Sequence, residues 1–388
     1  MVSPIDEMEA TLTAIAHGGE CVARLPGERS GRVVFVRGGI PGERVRIRLT
    51  NTSRDSWWRG VVTSVLEASP DRVAPPCPVA GICGGCDWQH IALYRQRALK
   101  AQVVREQLKR LGRVHCGKLI TEEVPGDVSG LAWRTRMRYL AHGKRIGLRA
   151  WSSHDMVPTP PGGCPLVAPG GPDDDTVAHL NAGRADNQVG VTIAASGWTV
   201  WRMDGGTLAG QELVTQQAIG RDFQVRADGF WQVHPGAGDA LAGAVCQMLQ
   251  PQPGERALDL YCGAGLFSAM LADAGVQVFG IEADQAAVVL ARSNVPEATF
   301  TRGFVERAEI RASSIVVLDP PRAGAGANVI RRIVNTRPRA IAYVACDPAS
   351  LARDTALLQA SGYRLGTIRA FDIFPMTAHV ETVALFEV

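Results

Sequence analysis

Three residues in the back third of the chain could together do covalent chemistry. Cys346 ends an apolar run, A-I-A-Y-V-A (Ala340–Ala345), and is followed by Asp347-Pro348. Pro348 has no N–H to give a ladder, so the strand stops there and leaves the thiol at its carboxyl end. Ligands of open α/β sheets bind outside the carboxyl ends of strands. That makes Cys346 a candidate nucleophile, although a buried, inert thiol is the commoner fate of a cysteine. One strand earlier, V-V-L-D-P-P-R (Val316–Arg322) sets Asp319 at a strand end stiffened by two prolines, beside a cofactor or a flat base. After a proline-punctuated loop, F-P-M-T-A-H-V-E (Phe374–Glu381) delivers Glu381 to the start of the last strand, where a carboxylate can serve as a general base.

A cofactor loop lies upstream. In A-L-D-L-Y-C-G-A-G (Ala257–Gly265), Gly263 and Gly265 let the backbone turn sharply and approach a ligand with no Cβ in the way. Glu282, at the end of the next strand, falls where an acid is wanted for ribose hydroxyls, roughly 20 residues on. Ser268 stands where a dinucleotide fold would want a third glycine, which weakens a nicotinamide reading. Asp259-x-x-x-Gly263-x-Gly265 with Glu282 instead resembles the S-adenosylmethionine loop of class I methyltransferases.

These pieces fit one reaction, methylation of C5 of uracil. That carbon is a weak nucleophile, so a thiolate must first add across C5–C6. Cys346 would attack C6, C5 would take the methyl group, and Glu381 would remove the C5 proton so that the thiol can leave. A cysteine of ordinary pKa, ~8.5, is only a few per cent thiolate at neutral pH, so its pocket should favour the anion. A similar D/N-P-P-Y occurs in enzymes that methylate exocyclic amines, which need no thiol. RNA cytosine-C5 enzymes typically carry a second cysteine at this motif. Asp319–Arg322 has none, which points to uracil.

The elements that must position these groups begin near Phe223. An amphipathic helix is expected over Ala237–Leu249, then strands at Arg256–Tyr261, Gln277–Glu282, Ile315–Leu318, Ala340–Ala345, Tyr363–Phe371 and Val380–Val388. Helices start near Leu266, Gln285, Asn328 and Ser350. Such alternation predicts an α/β fold with a doubly wound parallel sheet.

The front of the chain is different in kind. Residues 1–150 carry 24 Lys and Arg against 14 Asp and Glu, whereas residues 151–388 carry 17 against 24, although the net charge is only +3. A basic module joined to an acidic one suggests a grip on a polyanion. Short strands at Arg32–Val36, Arg44–Leu49 and Arg59–Leu66, punctuated by glycines, predict a small OB-like β-barrel. H-G-G-E-C-V-A-R, V-V-F-V-R-G-G-I-P-G-E-R-V and S-P-D-R-V closely resemble the TRAM domain of RNA-modifying enzymes, which implies RNA binding. Arg44, Arg46 and Arg48 share one strand face, as do Arg134, Arg136 and Arg138, and both sets are candidate phosphate contacts. Ile91–Leu111 has a helical apolar stripe. No apolar run reaches the ~18–20 residues of a membrane span. With a polar start, Met1–Ala10, the chain is expected to be cytoplasmic.

Nine cysteines in such a chain point to metal or catalysis rather than disulfides. Cys77, Cys83, Cys86 and Cys164 form the candidate metal set. Their spacing fits zinc with four thiolates as well as an iron–sulfur cluster. It does not match the radical S-adenosylmethionine pattern.

Together the cysteine set, F-W-Q-V (Phe230–Val233), D-L-Y-C-G-A-G, D-P-P-R, A-C-D-P and F-P-M-T-A-H-V-E resemble the RNA uracil-C5 methyltransferase family. The resemblance is greatest to the iron–sulfur, TRAM-bearing branch that methylates 23S ribosomal RNA. It implies S-adenosyl-L-methionine as cofactor, contacted by Gln232, Tyr261, Glu282 and Asp319. It also implies Cys346 as nucleophile, Glu381 as base, and a 4Fe-4S cluster of structural rather than redox role. Three units are expected: a TRAM barrel over 1–68, a small α+β central domain over 69–222 and a class I (Rossmann-like) methyltransferase domain over 223–388. The family pattern further suggests that the 91–111 helix packs on the catalytic domain. His234 and Leu266 depart from the pattern, each replacing a usual Asn. The alternatives are a transfer-RNA uracil methyltransferase and a non-catalytic RNA-binding assembly factor. Neither a membrane nor an obligate protein partner is expected.

Overall fold

A computed structural model describes residues 7–25, 31–126, 129–182 and 188–388. Of the polar start, residues 1–6 lie outside the described residues. Strands β1 (Glu7–Ile15), β2 (Cys21–Arg24), β3 (Val33–Arg37), β4 (Arg44–Asn51) and β5 (Trp57–Glu67) close into a barrel in the order β1-β2-β3-β5-β4. Alternation supplies the core: Leu12, Val34, Val36, Val45 and Ile47 are fully buried while their neighbours face out. The arginine row on β4 is partly neutralised. Arg44 bonds Glu67 and Glu9, and Arg46 lies 3.7 Å from Glu9.

The cysteine-bearing segment that follows ties the molecule together. Arg37 of the barrel donates to Gly81 O at 2.7 Å, and Gly84 N–H donates to Arg149 O at 2.9 Å. Asp87 and Trp88 N–H both donate to Met376 O in the catalytic layer, at 3.1 and 3.0 Å. Helix α1 (Leu93–Arg110) and the two-residue strand β6 (Thr121–Glu122) come next. Ala101, Val104 and Leu108 of α1 form one apolar cluster with Ala352, Ala370 and Val380 of the catalytic layer. Lys100, fully buried, reaches Asp372 at 2.5 Å.

Strands β7 (Arg136–His142), β8 (Arg145–Arg149), β9 (Met156–Pro158), β10 (Gln188–Ala194), β11 (Gly197–Arg202) and β12 (Thr207–Ala209) form a six-stranded sheet of order β12-β11-β10-β7-β8-β9. The short helix α2 (Asp174–Leu180) covers it. Of the row Arg134, Arg136 and Arg138, two are committed within the protein. Arg136 donates to the carbonyls of Ala227 and Gly229, and Arg134 faces the cysteine cavity. Only Arg138 of the three is exposed, its guanidinium 5.8 Å from the Trp201 ring. A hairpin of β13 (Leu213–Ala218) and β14 (Arg221–Arg226) then leads into the catalytic layer, where Asn294 bonds Gln224.

That layer contains α3 (Ala237–Leu249), β15 (Arg256–Leu260), α4 (Leu266–Asp273), β16 (Gln277–Glu282), α5 (Gln285–Asn294), β17 (Thr299–Arg302) and β18 (Ile315–Leu318). It continues through α6 (Gly326–Asn335), β19 (Ala340–Ala345), α7 (Pro348–Ala360), β20 (Arg364–Phe371) and β21 (Glu381–Glu387). With β6 these strands make an eight-stranded sheet, β17-β16-β15-β18-β19-β21-β20-β6. Val317, Ala342 and Val344 pack against α3, α4 and α5, while Val316, Leu318, Ile341 and Tyr343 pack against α6 and α7.

The expected doubly wound parallel sheet is present across β17, β16, β15, β18 and β19, with one departure. β21 inserts between β19 and β20 and runs antiparallel to both. The link from Phe371 to Glu381 contains no helix, and so short a connection can only reverse the chain. β6 pairs through just two residues, and β17 is a four-residue edge strand, so neither has a periodic signal long enough to read in advance. Among the described residues no helix is long and apolar enough to cross a membrane.

Candidate active site

The antiparallel entry of β21 builds the site. Ala345 and Thr382 are the last register pair between β19 and β21, and the Thr382 hydroxyl donates to Ala345 O at 3.0 Å. The next residues outward are Cys346 on one strand and Glu381 on the other, so they stand opposite each other at the sheet end. Had β21 run parallel, Glu381 at its start would lie at the far end of the sheet from Cys346. Asp319 follows β18, Tyr261 follows β15 and Glu282 ends β16, all at that same carboxyl rim.

One cleft, about 1620 Å³ with its open mouth, is lined by Cys346, Glu381, Asp319, Glu282, Tyr261, Gln232 and Gly263. Gly265 is set back from it. A Cβ there would come within 3.1 Å of Val295, so this glycine serves close packing of the loop on α5. Gly263 N–H donates to Glu282 at 3.1 Å and Asp284 N–H donates to the other Glu282 oxygen at 2.8 Å. Glu282 therefore fixes the loop while facing the cleft. Tyr261 has φ of 63°, a left-handed conformation that costs a bulky side chain and is typical of a constrained site.

The neighbouring layers hold the lining in place. Trp231 is buried against Phe223, and Val233 O accepts both the N–H and the hydroxyl of Thr135. With Arg136 on the carbonyls of 227 and 229, this anchors the strip that carries Gln232. Asp354 of α7 accepts from Tyr343 OH, Ala325 N–H and Gly326 N–H, which fixes the exit of the Asp319–Arg322 loop. Asp347 caps α7 by accepting from Ser350 N–H at 2.7 Å, with Pro348 in the first turn.

Charge in the cleft is unusual. Burial, reinforced by Glu381 and Asp319, pushes the Cys346 thiol up to about 12, against the pull of Arg322. Burial and Asp319 raise Glu381 well above the carboxylate range, and burial raises Asp319 to about 7. Burial and the neighbouring acids therefore disfavour the thiolate that the sequence leads one to expect. Arg322 and Phe374 also line the cleft, and Phe230, 75% exposed, stands at its rim. All three lie inside quoted motifs, yet no spacing rule marks them. Leu266 lines the cleft, whereas His234 is buried against Trp133 and accepts from Gly236 N–H.

Cys77, Cys83, Cys86 and Cys164 line a separate pocket, about 450 Å³ with its open mouth, together with Gln89 and Arg134. Gly85 N–H and the Gln89 amide donate to Cys83 and Cys86 sulfur, at 3.4 and 3.1 Å. Burial raises the Cys86 thiol to about 12, with Cys164 and Cys83 adding to it. All nine cysteines are free thiols. Among the described residues no group of three or more His, Cys, Asp or Glu is placed to hold a metal ion.

Comparison with known proteins identifies the family and the fold. The family described as tRNA (Uracil-5-)-methyltransferase matches residues 300–388, and the TRAM domain matches residues 5–56. An uncharacterized RNA methyltransferase of Streptomyces avermitilis is 40% identical, covering 98% of this chain and 98% of that protein. The 23S rRNA (uracil(1939)-C(5))-methyltransferase of Edwardsiella ictaluri is 30% identical, covering 97% of this chain and 95% of its own length. The fold matches that of the Pyrococcus abyssi tRNA (uracil-54, C5)-methyltransferase, solved with S-adenosyl-L-homocysteine. That match has a TM-score of 0.74 and 22% identity, and it covers 98% of this chain and 99% of the other. With an N-terminal TRAM domain and a Rossmann-like catalytic layer, the chain belongs to the RNA uracil-C5 methyltransferase family.

Proposed function

We propose that this enzyme methylates C5 of a uridine in 23S ribosomal RNA, using S-adenosyl-L-methionine and a transient bond from Cys346 sulfur to C6. The observation that carries this reading is the facing pair of Cys346 and Glu381 at the end of the β19–β21 ladder, in one cleft with Asp319, Glu282 and Gln232. The bound donor supplies an electrophilic methyl group. Gln232, Tyr261, Glu282 and Asp319, with the Gly263 turn, would hold it against the rim. Cys346 sulfur adds to C6, and C5 takes the methyl group. Glu381, in its ionised form, accepts the C5 proton, after which the sulfur–C6 bond breaks and returns the sulfur lone pair to Cys346. Ribosomal RNA is preferred because a relative named for it shares 30% identity over nearly the whole chain.

The same reading gives Cys77, Cys83, Cys86 and Cys164 to a 4Fe-4S cluster. What supports it is the donor set: four thiols on one cavity, two N–H groups aimed at sulfur and a guanidinium alongside. Because this segment bonds the barrel, the central sheet and the catalytic layer, its role would be structural. Iron and sulfide content of anaerobically purified protein checks this, and zinc in their place would overturn it.

The decisive experiment uses RNA containing 5-fluorouridine, which traps the adduct because fluorine cannot leave as a proton does. Wild-type protein should form a covalent complex with 23S transcripts, and Cys346→Ala should form none and methylate none. Preferential methylation of transfer RNA would reassign the substrate. A Cys346→Ala enzyme that still makes 5-methyluridine would end the covalent reading.

A further inference from the structure

We infer that His17, in the turn between β1 and β2 of the barrel, is a positioning residue for methyl transfer. It acts by holding Asp347, and through it the backbone that presents Cys346. The inference rests on Cys346 being the nucleophile. His17 Nε2 lies 2.8 Å from Asp347 Oδ2 across 330 residues of sequence. The other Asp347 oxygen caps α7 through Ser350, so this carboxylate is gripped from both sides one residue beyond the thiol. Those bonds outweigh burial and bring Asp347 down to about 2.

The same turn also rests on the segment leading to Glu381. Gly19 O accepts from Trp88 Nε1 at 3.0 Å, and a Cβ on Gly19 would stand 2.3 Å from Ala378 Cβ. Trp88 N–H in turn bonds Met376 O. One rigid turn, closed by Ala16 N–H to Glu20 O at 2.8 Å, therefore touches both chain segments that bear the reacting groups. The His17 side chain is 40% exposed and that of Asp347 22%, so their pairing adds little to folding stability. Its consequence is geometric: barrel seating and thiol placement become one equilibrium.

In the full-length enzyme, His17→Ala should lower kcat and the rate of adduct formation with 5-fluorouridine RNA on the order of ten- to a hundredfold. KM for RNA and for S-adenosylmethionine, and the unfolding midpoint, should not move. His17→Gln, whose amide N–H can still reach Asp347, should recover most of the rate. Gly19→Ala, which pushes the turn off Ala378, should reproduce the kcat loss. The inference is overturned by an unchanged kcat in His17→Ala, by a raised KM for RNA at unchanged kcat, or by His17→Gln as slow as His17→Ala. Cys346→Ala run in parallel separates the two ideas. If it still forms the adduct, the nucleophile assignment fails. If it is dead beside a fully active His17→Ala, only the role of His17 fails.

Discussion

Ser268 donates a 2.6 Å hydrogen bond to Asp259 beneath the cofactor loop, yet the second Asp259 oxygen is buried without a partner. This carboxylate opens the glycine loop and is 1% exposed. Burial pushes its pKa up to about 7, Ser268 opposes that, and Asp319 and Glu282 add to it. In the unfolded chain the same group ionises near ~3.9. Between those values the unfolded state releases the proton first, so rising pH costs the native state stability from about 4 to about 7 and no further. Asp259→Asn removes that dependence. Its stability relative to wild type should climb over this window, by about 4 kcal/mol at most, and then level off. Urea unfolding at pH 5 and pH 8 measures it, and an equal difference at both would show that Asp259 ionises freely in the native protein.

Glu381 and Cys346 act at opposite ends of the proposed cycle, which separates their variants. Cys346→Ala removes the first bond. Glu381→Gln leaves sulfur addition and methyl transfer possible but gives the C5 proton no acceptor. With ordinary uridine RNA, Glu381→Gln should therefore accumulate a covalent protein–RNA complex that already carries the methyl group, while turnover falls about 10²- to 10⁴-fold. Denaturing gels and mass spectrometry of the complex check this. Normal product release from Glu381→Gln would transfer the base role to another group.

The strand ends that bear Cys346, Asp319 and Glu282 were legible because β-branched runs and proline or glycine stops are local signals. What local signals could not carry was direction. Glu381 reads as the start of a strand either way, and only pairing with β19 decides which end of the sheet it reaches. The arginine rows show the same limit. Arg134, Arg136 and Arg138 alternate as expected, but whether a guanidinium meets phosphate or a carbonyl depends on a segment some 90 residues away, Ala227–Gly229. His17 opens the quoted H-G-G-E-C-V-A-R motif, but nothing local points to its partner Asp347, 330 residues distant.

Lys100 tests how the early helix is bound to the catalytic layer. Its ammonium is fully buried, 2.5 Å from Asp372 and 2.9 Å from Phe374 O, and Arg97 lies 3.3 Å from the other Asp372 oxygen. Lys100→Met should cost about 3–5 kcal/mol, because a buried carboxylate loses its nearest counter-charge. Adding Asp372→Asn should return part of that loss, so that the double variant loses less than the two single variants summed in a double-mutant cycle followed by urea unfolding. A single-variant loss below about 1 kcal/mol would mean that water or Arg97 alone satisfies Asp372. Since Phe374 opens the loop that leads to Glu381, Lys100→Met should also slow methyl transfer.

The cleft holds three acidic groups, Cys346, Asp319 and Glu381, each raised mainly by burial, while Arg322 pulls down Cys346 and Glu381. In that state the thiol is held protonated at neutral pH, and burial with Asp319 beside it biases Glu381 toward its protonated form. A cation lodged beside Asp319 would favour the ionised form of all three. S-Adenosylmethionine is such a cation and its demethylated product is not, so the donor's own charge would arm the nucleophile only when a methyl group is present. Alkylation of Cys346 by iodoacetamide, followed on its peptide by mass spectrometry, should keep rising with pH toward about 12 in the free protein. A cationic, non-transferring analogue of the donor should move that midpoint down by roughly 1 to 3 pH units. S-Adenosylhomocysteine, which fills the same space without the charge, should leave it in place. Identical profiles with the two ligands would show that the thiol is activated by something other than the charge of the methyl donor.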